Sequence, residues 1–348
     1  MAAAVMPPPA LGLIQTSYTP IISRTAALDK DRDAFKPSQH LAFEEMPKVH
    51  TMKELGFLET TGVSPIAVSE PFTLFTEEAV LRMREECLSP EVFKNCRFSS
   101  NLAHCQLRGF AQKYAPFTYQ LWKNPATLEI ISKIAGIDVV PQMDWEIGHI
   151  NVGMELGEQK TKKPRGAVGK AGHESDEEEA IVGWHTDSYP FVCVTMLSDC
   201  TNMIGGETAL RTGNGDIMKV RGPQMGSAVV LQGRYITHQA LRAHGTAERI
   251  TMVTSFRPRN PSIRDDSVLT TVRPISNLSD LYNQFAEYRL KILEERIRLQ
   301  LGEIQELCVA GKRVATKKLK DFLEEQEKFL VHMNKEIVDE IDDAVGLN

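Results

Sequence analysis

None of the six cysteines in the 348 residues forms a C-x-x-C pair, so the chain has neither a zinc-finger spacing nor a recognisable disulfide framework. Cys87, Cys96 and Cys105 recur at intervals that fit no usual zinc pattern, and all six read as free thiols of a reducing compartment. Positive charge is not in excess. With 40 Lys and Arg against 46 Asp and Glu, the formal net charge is −6 and both signs are interspersed, which argues against a DNA or RNA partner. No run of about 18 apolar residues exists for a membrane span. Residues 1 to 28 carry one charge, Arg24, and lack the basic start and apolar core of a secretory signal. The expectation is a soluble, cytoplasmic protein, with the basic run Lys160-Thr-Lys-Lys-Pro-Arg165 as its only resemblance to a nuclear-import signal.

What is present falls into three stretches. Residues 1–47, Pro-rich and then scattered with charge, read as an extended or disordered arm. Residues 48–275 hold the main domain. Thr76 followed by Glu77 and Glu78 caps a helix that runs to about Leu88. Asn124-Pro125 opens a second helix, with Leu128, Ile131, Ile134 and Ala135 on one face and Gly136 as its end. Both are expected to brace a sheet. Between them lie Arg97, Asn101, His104, Arg108 and Tyr114. Beyond residue 140, short apolar runs alternate with Gly-rich turns, which predicts a β-sandwich or barrel rather than βαβ units. The polar stretch 154–181 interrupts them as a solvated insert. Residues 276–348 form the third part: Leu-, Glu-, Lys- and Ile-rich amphipathic helices broken near Ala310-Gly311. Apolar positions 286, 290, 293, 297, 301 and 304 read either as the face of a helix packed on the domain or, more sharply, as a coiled-coil surface for a homodimer.

The chemistry gathers at Gly183-Trp184-His185-Thr186-Asp187. On a strand, residues i and i+2 point the same way, so the His185 imidazole and Asp187 carboxylate can hold one ion. Two His and one carboxylate leave an octahedral ion with an open face, which suits non-haem Fe(II). His238 is the natural third ligand. The segment from His238 to Thr251 reads as a hairpin turning at His244-Gly245-Thr246, which would set Arg249 opposite His238, with Thr251 on the same face. His244, at the tip, is left out of the metal set. A guanidinium binds a carboxylate bidentately, so Arg249 with Thr251 makes a receptor for the distal carboxylate of 2-oxoglutarate. Upstream, Trp145 to Val152 reads as a strand entering the site with 145, 147, 149 and 151 on one face. Asn151 joins the co-substrate set, and His149 is either a second contact or a core histidine.

The ordered set of His185-x-Asp187, Gly205-Gly206-Glu207-Thr208, the Gly226 to Leu231 run, His238 and Arg249-x-Thr251 resembles the Fe(II)/2-oxoglutarate-dependent oxygenases over about residues 140 to 260. The prolyl-hydroxylase-like branch is nearest, and a fungal-type small-molecule oxygenase is a second form of the same resemblance. Prolyl hydroxylases hold 2-oxoglutarate with a Lys where Arg249 stands here, a departure that weakens any inference about substrate. The resemblance implies a mainly β fold with a double-stranded β-helix (jelly-roll) core, N-terminal bracing helices and C-terminal amphipathic helices. It also implies Fe(II) held by His185, Asp187 and His238, with 2-oxoglutarate and O2 as co-substrates. The implied activity is a dioxygenase that oxidises a C–H bond, by default as a hydroxylase, on a small-molecule substrate. Radical halogenases of the superfamily have Ala or Gly in place of the aspartate, so Asp187 disfavours halogenation. The alternatives are a protein or peptide hydroxylase, a Zn(II) hydrolase on the same ligands, and a non-catalytic jelly-roll protein that binds partners through its C-terminal helices.

Overall fold

The computed structural model describes residues 34–99, 105–154, 180–220, 224–245 and 248–338. Most of the expected arm and insert, Asn101, His104 and Thr246 lie outside them, as do residues 339–348. The expected arm ends earlier than Pro47. Phe35 and His40 are buried, and both rings lie against Phe117. These aromatic side chains give residues 34–47 apolar surface to bury, which their Pro-rich context obscured.

Three helices line one side of the main sheet: α1 (Glu77–Cys87), α2 (Pro116–Lys123) and α3 (Pro125–Ala135). Thr76 accepts a hydrogen bond from the Ala79 amide and Asn124 from the Ala126 amide, so both helices start where their cap residues direct. Gly136 ends α3 at a φ of 73°, a left-handed conformation open to glycine.

The strands that frame the site are β1 (His149–Met154), β2 (Ala180–His185), β3 (Phe191–Met196), β4 (Thr208–Arg211), β5 (Ile217–Val220), β6 (Ser227–Leu231), β7 (His238–Leu241) and β8 (Glu248–Pro258). In the larger, ten-stranded sheet the order β6-β3-β8-β1 forms the centre, while β5-β4-β7-β2 makes a four-stranded sheet. All these pairings are antiparallel.

The alternation along β8 explains how the layers stack. Ile250, Met252 and Phe256 join the helices in one core with Val80, Leu121, Trp122 and Ile131. Arg249, Thr251 and Val253 take the other parity, facing the smaller sheet. Val192 and Leu231 from the larger sheet share a second core with Leu210 and Val220 from the smaller, so the two sheets pack face to face. Burying these apolar faces is the main favourable term, at about 25 cal/mol per Å² removed from water.

Two expectations about strands need correction. Trp145 is not in a strand: Asp144–Glu146 is a turn of 3-10 helix, and β1 starts only at His149. Trp145 is held instead by its backbone N–H to Gln284 and its indole N–H to Ser276, under the C-terminal helices. Nor do His238 and Arg249 belong to one hairpin. Strand β7 is flanked on both sides by β4 and β2, so its ladder has no edge for β8. The chain crosses from the smaller sheet to the larger after the short strand Ala243–His244, which pairs with Ile204–Gly205. Arg249 therefore faces the smaller sheet across the interior.

The C-terminal helices α4 (Leu278–Val309) and α5 (Thr316–Glu336) form a pair joined through Gly311, at a φ of 64°. They pack on the domain through Leu281, Phe285, Ile292, Phe329 and Met333, against Trp145, Tyr189, Leu269 and Val272. Arg289, wholly buried, donates to the carbonyls of Asp265 and Phe329 and lies 3.6 Å from the Phe329 ring centre.

Candidate metal centre

At the end of β2 and the start of β7, the antiparallel register sets His185 directly opposite His238. Their ring centres are 4.4 Å apart. Asp187 follows β2 by two residues and turns back between them. One carboxylate oxygen lies 3.6 Å from His185 Nε2 and the other 3.5 Å from His238 Nε2. Among the described residues these three are the one group of His, Cys, Asp and Glu whose ligand atoms all fall within 4.8 Å of one another. Two ligands at about 2.1 Å from an ion and at right angles would be about 3.0 Å apart, so a small inward movement closes the set.

Three features fit the residues to an ion. His185 Nδ1 bonds the Gly183 carbonyl at 2.8 Å and His238 Nδ1 bonds the Ile236 carbonyl at 2.9 Å. A carbonyl only accepts, so both rings carry their proton on Nδ1 and turn an Nε2 lone pair toward Asp187. Asp187 Oδ2 is buried with no hydrogen-bond partner, a cost that an ion would remove. Gly233 donates no side chain to the space: a Cβ there would stand 1.8 Å from Asp187 Oδ2. The Gly233 carbonyl also accepts from the Asp187 amide at 2.9 Å.

Charges follow the same geometry. Burial opposes ionisation of Asp187, but the two imidazoles outweigh it and hold the carboxyl well below its ordinary range. Burial likewise opposes protonation of His185, and the Asp187 carboxylate overcomes it, leaving the imidazole above its ordinary value.

Arg249 and Thr251 are both buried and line a narrow pocket between the sheets with Met196, Thr208 and Leu231. Along the strands, Thr208 is two residues from Leu210, which pairs with His238, and Leu231 is two residues from Gly233. Arg249 Nη2 donates to the Gly206 carbonyl, while Nε has no partner. The Gly205-Gly206 turn thus receives one edge of the guanidinium. A Cβ on Gly206 would come within 3.2 Å of Arg249 Nε. Burial lowers the Arg249 pKa, yet a guanidinium remains cationic at neutral pH.

Asn151 is in register with Thr251 on β8 and with Gln106, whose amide bonds its side chain at 3.2 Å. It therefore shares a face with the pocket residues. His149 lies one step along the same face; Arg108 Nη1 donates to its Nδ1 at 2.9 Å, and its Nε2 stands 3.2 Å from the side-chain amide of Gln106. It is a core histidine held by side chains, not by backbone. Because Arg108 can only donate, Nδ1 accepts and the ring is neutral. Burial, reinforced by Arg108, keeps the His149 pKa well below its ordinary value.

Sequence reasoning missed the rest of this array. Glu146, itself buried, pairs with Arg108 and accepts from the Tyr189 hydroxyl at 2.9 Å. Tyr189 is two residues beyond Asp187 and also touches the C-terminal helices. No spacing in the sequence joins positions 108, 146 and 189. Arg97 is exposed, and Tyr114 lies under the Lys113 ammonium, so neither joins the centre. Arg257 lies under α4, against the Tyr288 ring.

No family model matches the chain, and no curated protein does. Among solved structures it is similar to a 2OG-Fe(II) oxygenase-family oxidoreductase from Burkholderia pseudomallei (12% identity, 48% of this chain and 75% of that chain, TM-score 0.34). It is similar also to a Pseudomonas putida prolyl-4-hydroxylase (15% identity, 56% and 93%, TM-score 0.33). A third is the non-heme alpha-ketoglutarate-dependent epimerase of nogalamycin biosynthesis (14% identity, 60% and 84%, TM-score 0.39).

Proposed function

We propose that the protein is an Fe(II)- and 2-oxoglutarate-dependent dioxygenase that oxidises a C–H bond of a small molecule, with hydroxylation as the default outcome. The observation that carries this reading is the pairing of the His185, Asp187 and His238 set with a buried guanidinium, Arg249, on the facing sheet. A hydrolytic zinc centre would use the same three ligands but has no need of that cation. Two antiparallel sheets packed face to face, with the three residues at one end of the smaller, support a double-stranded β-helix core.

In this reading His185, Asp187 and His238 would hold Fe(II). When bound, the iron supplies the O2 chemistry: 2-oxoglutarate, O2 and substrate become succinate, CO2 and oxidised product. Arg249 and Thr251 bind the distal carboxylate of 2-oxoglutarate. Gly206 holds one edge of the Arg249 guanidinium, and that support fixes the plane of the fork. Gly183 and Ile236 keep both imidazoles in the ligating tautomer. The apolar walls from Met196 and Leu231 exclude water from the pocket. The test is succinate formation by purified protein supplied with Fe(II), 2-oxoglutarate and air. Turnover that requires all three is expected. Hydrolase activity that survives without O2 or 2-oxoglutarate would overturn the proposal.

A further inference from the structure

Between β8 and α4 the chain belongs to no helix or strand over residues 264–269, yet Asp265 is buried there and Ser267 and Leu269 fully so. Buried backbone groups must find partners. In this strap they find them alternately on two sides. The C-terminal helices stand on one side, and their side chains take the place of a neighbouring strand. Arg296 donates to the Pro261 and Ile263 carbonyls, Arg289 to the Asp265 carbonyl at 2.6 Å, and His332 Nε2 to the Ser267 carbonyl at 2.8 Å. The Leu269 amide donates to the Glu336 carboxylate at 2.7 Å. All of these strap positions are odd.

The even positions turn the other way, with the period of two of an extended chain. Asp266 accepts from Arg234 Nε through its carbonyl and from the Tyr235 hydroxyl, at 2.5 Å, through its carboxylate. The Val268 amide donates to the Ser188 carbonyl at 2.9 Å, and Thr271 Oγ1 lies 2.6 Å from Ser188 Oγ.

What the even side grips is the frame of the metal centre. Ser188 follows Asp187 directly. Arg234 and Tyr235 follow Gly233, whose carbonyl accepts the Asp187 amide and whose missing side chain makes room for Asp187 Oδ2. The strap therefore holds both loops between which that carboxylate sits. Placement matters here at a fine scale: the Asp187 oxygens stand 3.6 and 3.5 Å from the imidazole nitrogens, against about 3.0 Å for two ligands at right angles on one ion. A loop that drifts outward by about half an ångström doubles the gap to be closed.

We propose that the strap positions Asp187 for metal binding, so that docking of α4 and α5 is coupled to occupancy of the metal centre. Arg289, His332 and Glu336 act on the strap from the helices, and Asp266, Thr271, Ser188 and Tyr235 pass its position to Asp187. All are positioning residues, since none is a ligand. The inference rests on the reading of His185, Asp187 and His238 as a metal centre, whatever reaction follows there. Coupling is reciprocal: what the helices contribute to metal affinity, the metal returns to helix docking.

The test uses the full-length apo-protein with Co(II) as the probe, followed by titration calorimetry, and Asp187→Ala shows what loss of the site looks like. Tyr235→Phe and Thr271→Val each remove one hydroxyl. Together they should weaken Co(II) binding about tenfold, the scale for groups that orient metal ligands. From the helix side, His332→Leu should weaken it about threefold, within the range carried by packed networks. His332→Gln, whose amide can still donate to the Ser267 carbonyl, should restore it. Leu128→Ala, on α3, is the control for stability alone: a lower thermal midpoint with Co(II) affinity unchanged. In the unmodified protein, Co(II) should slow amide exchange at Val268 and Leu269 more than in α3. Tyr235 and Thr271 variants that bind Co(II) like the parent, His332→Gln as weak as His332→Leu, an equal loss in Leu128→Ala, or exchange slowed no more in the strap than in α3 would each overturn the proposal. A parent protein that binds no Co(II) would overturn the metal centre itself, and this inference with it.

Discussion

At Gly233 the room left for one oxygen atom determines whether Asp187 can serve a metal. A methyl group there would displace the flexible carboxylate rather than the backbone, so Gly233→Ala is expected to leave the fold intact. It should weaken Fe(II) binding at least tenfold, the usual scale for residues that orient ligands. Metal analysis after dialysis checks it, and full retention of iron would contradict it. His185→Ala or Asp187→Ala should abolish iron binding. Protons compete at the same atoms. Asp187 raises the His185 pKa, so the imidazole gives up its proton at a higher pH than a free one. Iron affinity should therefore fall as pH drops through the histidine range, with protons released on binding, as titration calorimetry in two buffers would show. Arg249→Lys keeps the charge but loses the fork; charge-assisted bonds contribute roughly 1.5–3 kcal/mol each. It should raise the 2-oxoglutarate requirement tenfold or more while iron binding persists. An unchanged requirement would place the co-substrate pocket elsewhere.

At the scale of elements, the local signals were legible and the long-range ones were not. Caps at Thr76 and Asn124, the Gly136 stop and the break at Gly311 are chemistry between near neighbours, and the structure places each where the sequence does. The His185-x-Asp187 spacing is equally local, but Asp187 lies past the end of β2 and reaches His185 by a turn of the chain rather than by strand alternation. Strand partners are not: the sequence from His238 to Arg249 looks like a hairpin because it has a turn in the middle. Only the ladder of β7, filled on both sides, shows that the strands part company into different sheets. The Glu146, Arg108 and Tyr189 array escaped notice for the same reason, since its members meet only after the sheet and the 3-10 turn have formed. The helices α4 and α5 are part of the domain, not an appendage. Phe285, fully buried among Trp145, Tyr189 and Phe329, should cost about 3–5 kcal/mol when cut to Ala. Urea denaturation measures this, and a loss under about 1 kcal/mol would show that the helices contribute little to the domain. Removal of residues 277–348 should accordingly expose an aromatic surface and destabilise the chain.

For the whole molecule, the cysteines report how closed the interior is. Burial pushes the Cys193 thiol up to about 12 and the Cys87 thiol higher still, whereas Cys308 is exposed on α4. A thiol reagent should label Cys308 first and reach Cys87 and Cys193 only after unfolding; rapid labelling of Cys193 in the native protein would contradict the packing of helices on the larger sheet. Among the described residues no helix is long and apolar enough to cross a membrane. The central claim joins the two sheets: three ligands on one, a carboxylate-binding arginine on the other, and one co-substrate spanning them. It is tested most directly by anaerobic titration of the protein with Fe(II) and then 2-oxoglutarate, watching for the visible charge-transfer band of the chelate. The account predicts a band that needs both additions, is lost in Asp187→Ala, and in Arg249→Ala saturates only at tenfold or more 2-oxoglutarate. No band in the parent protein, or the same saturation in Arg249→Ala, would contradict it.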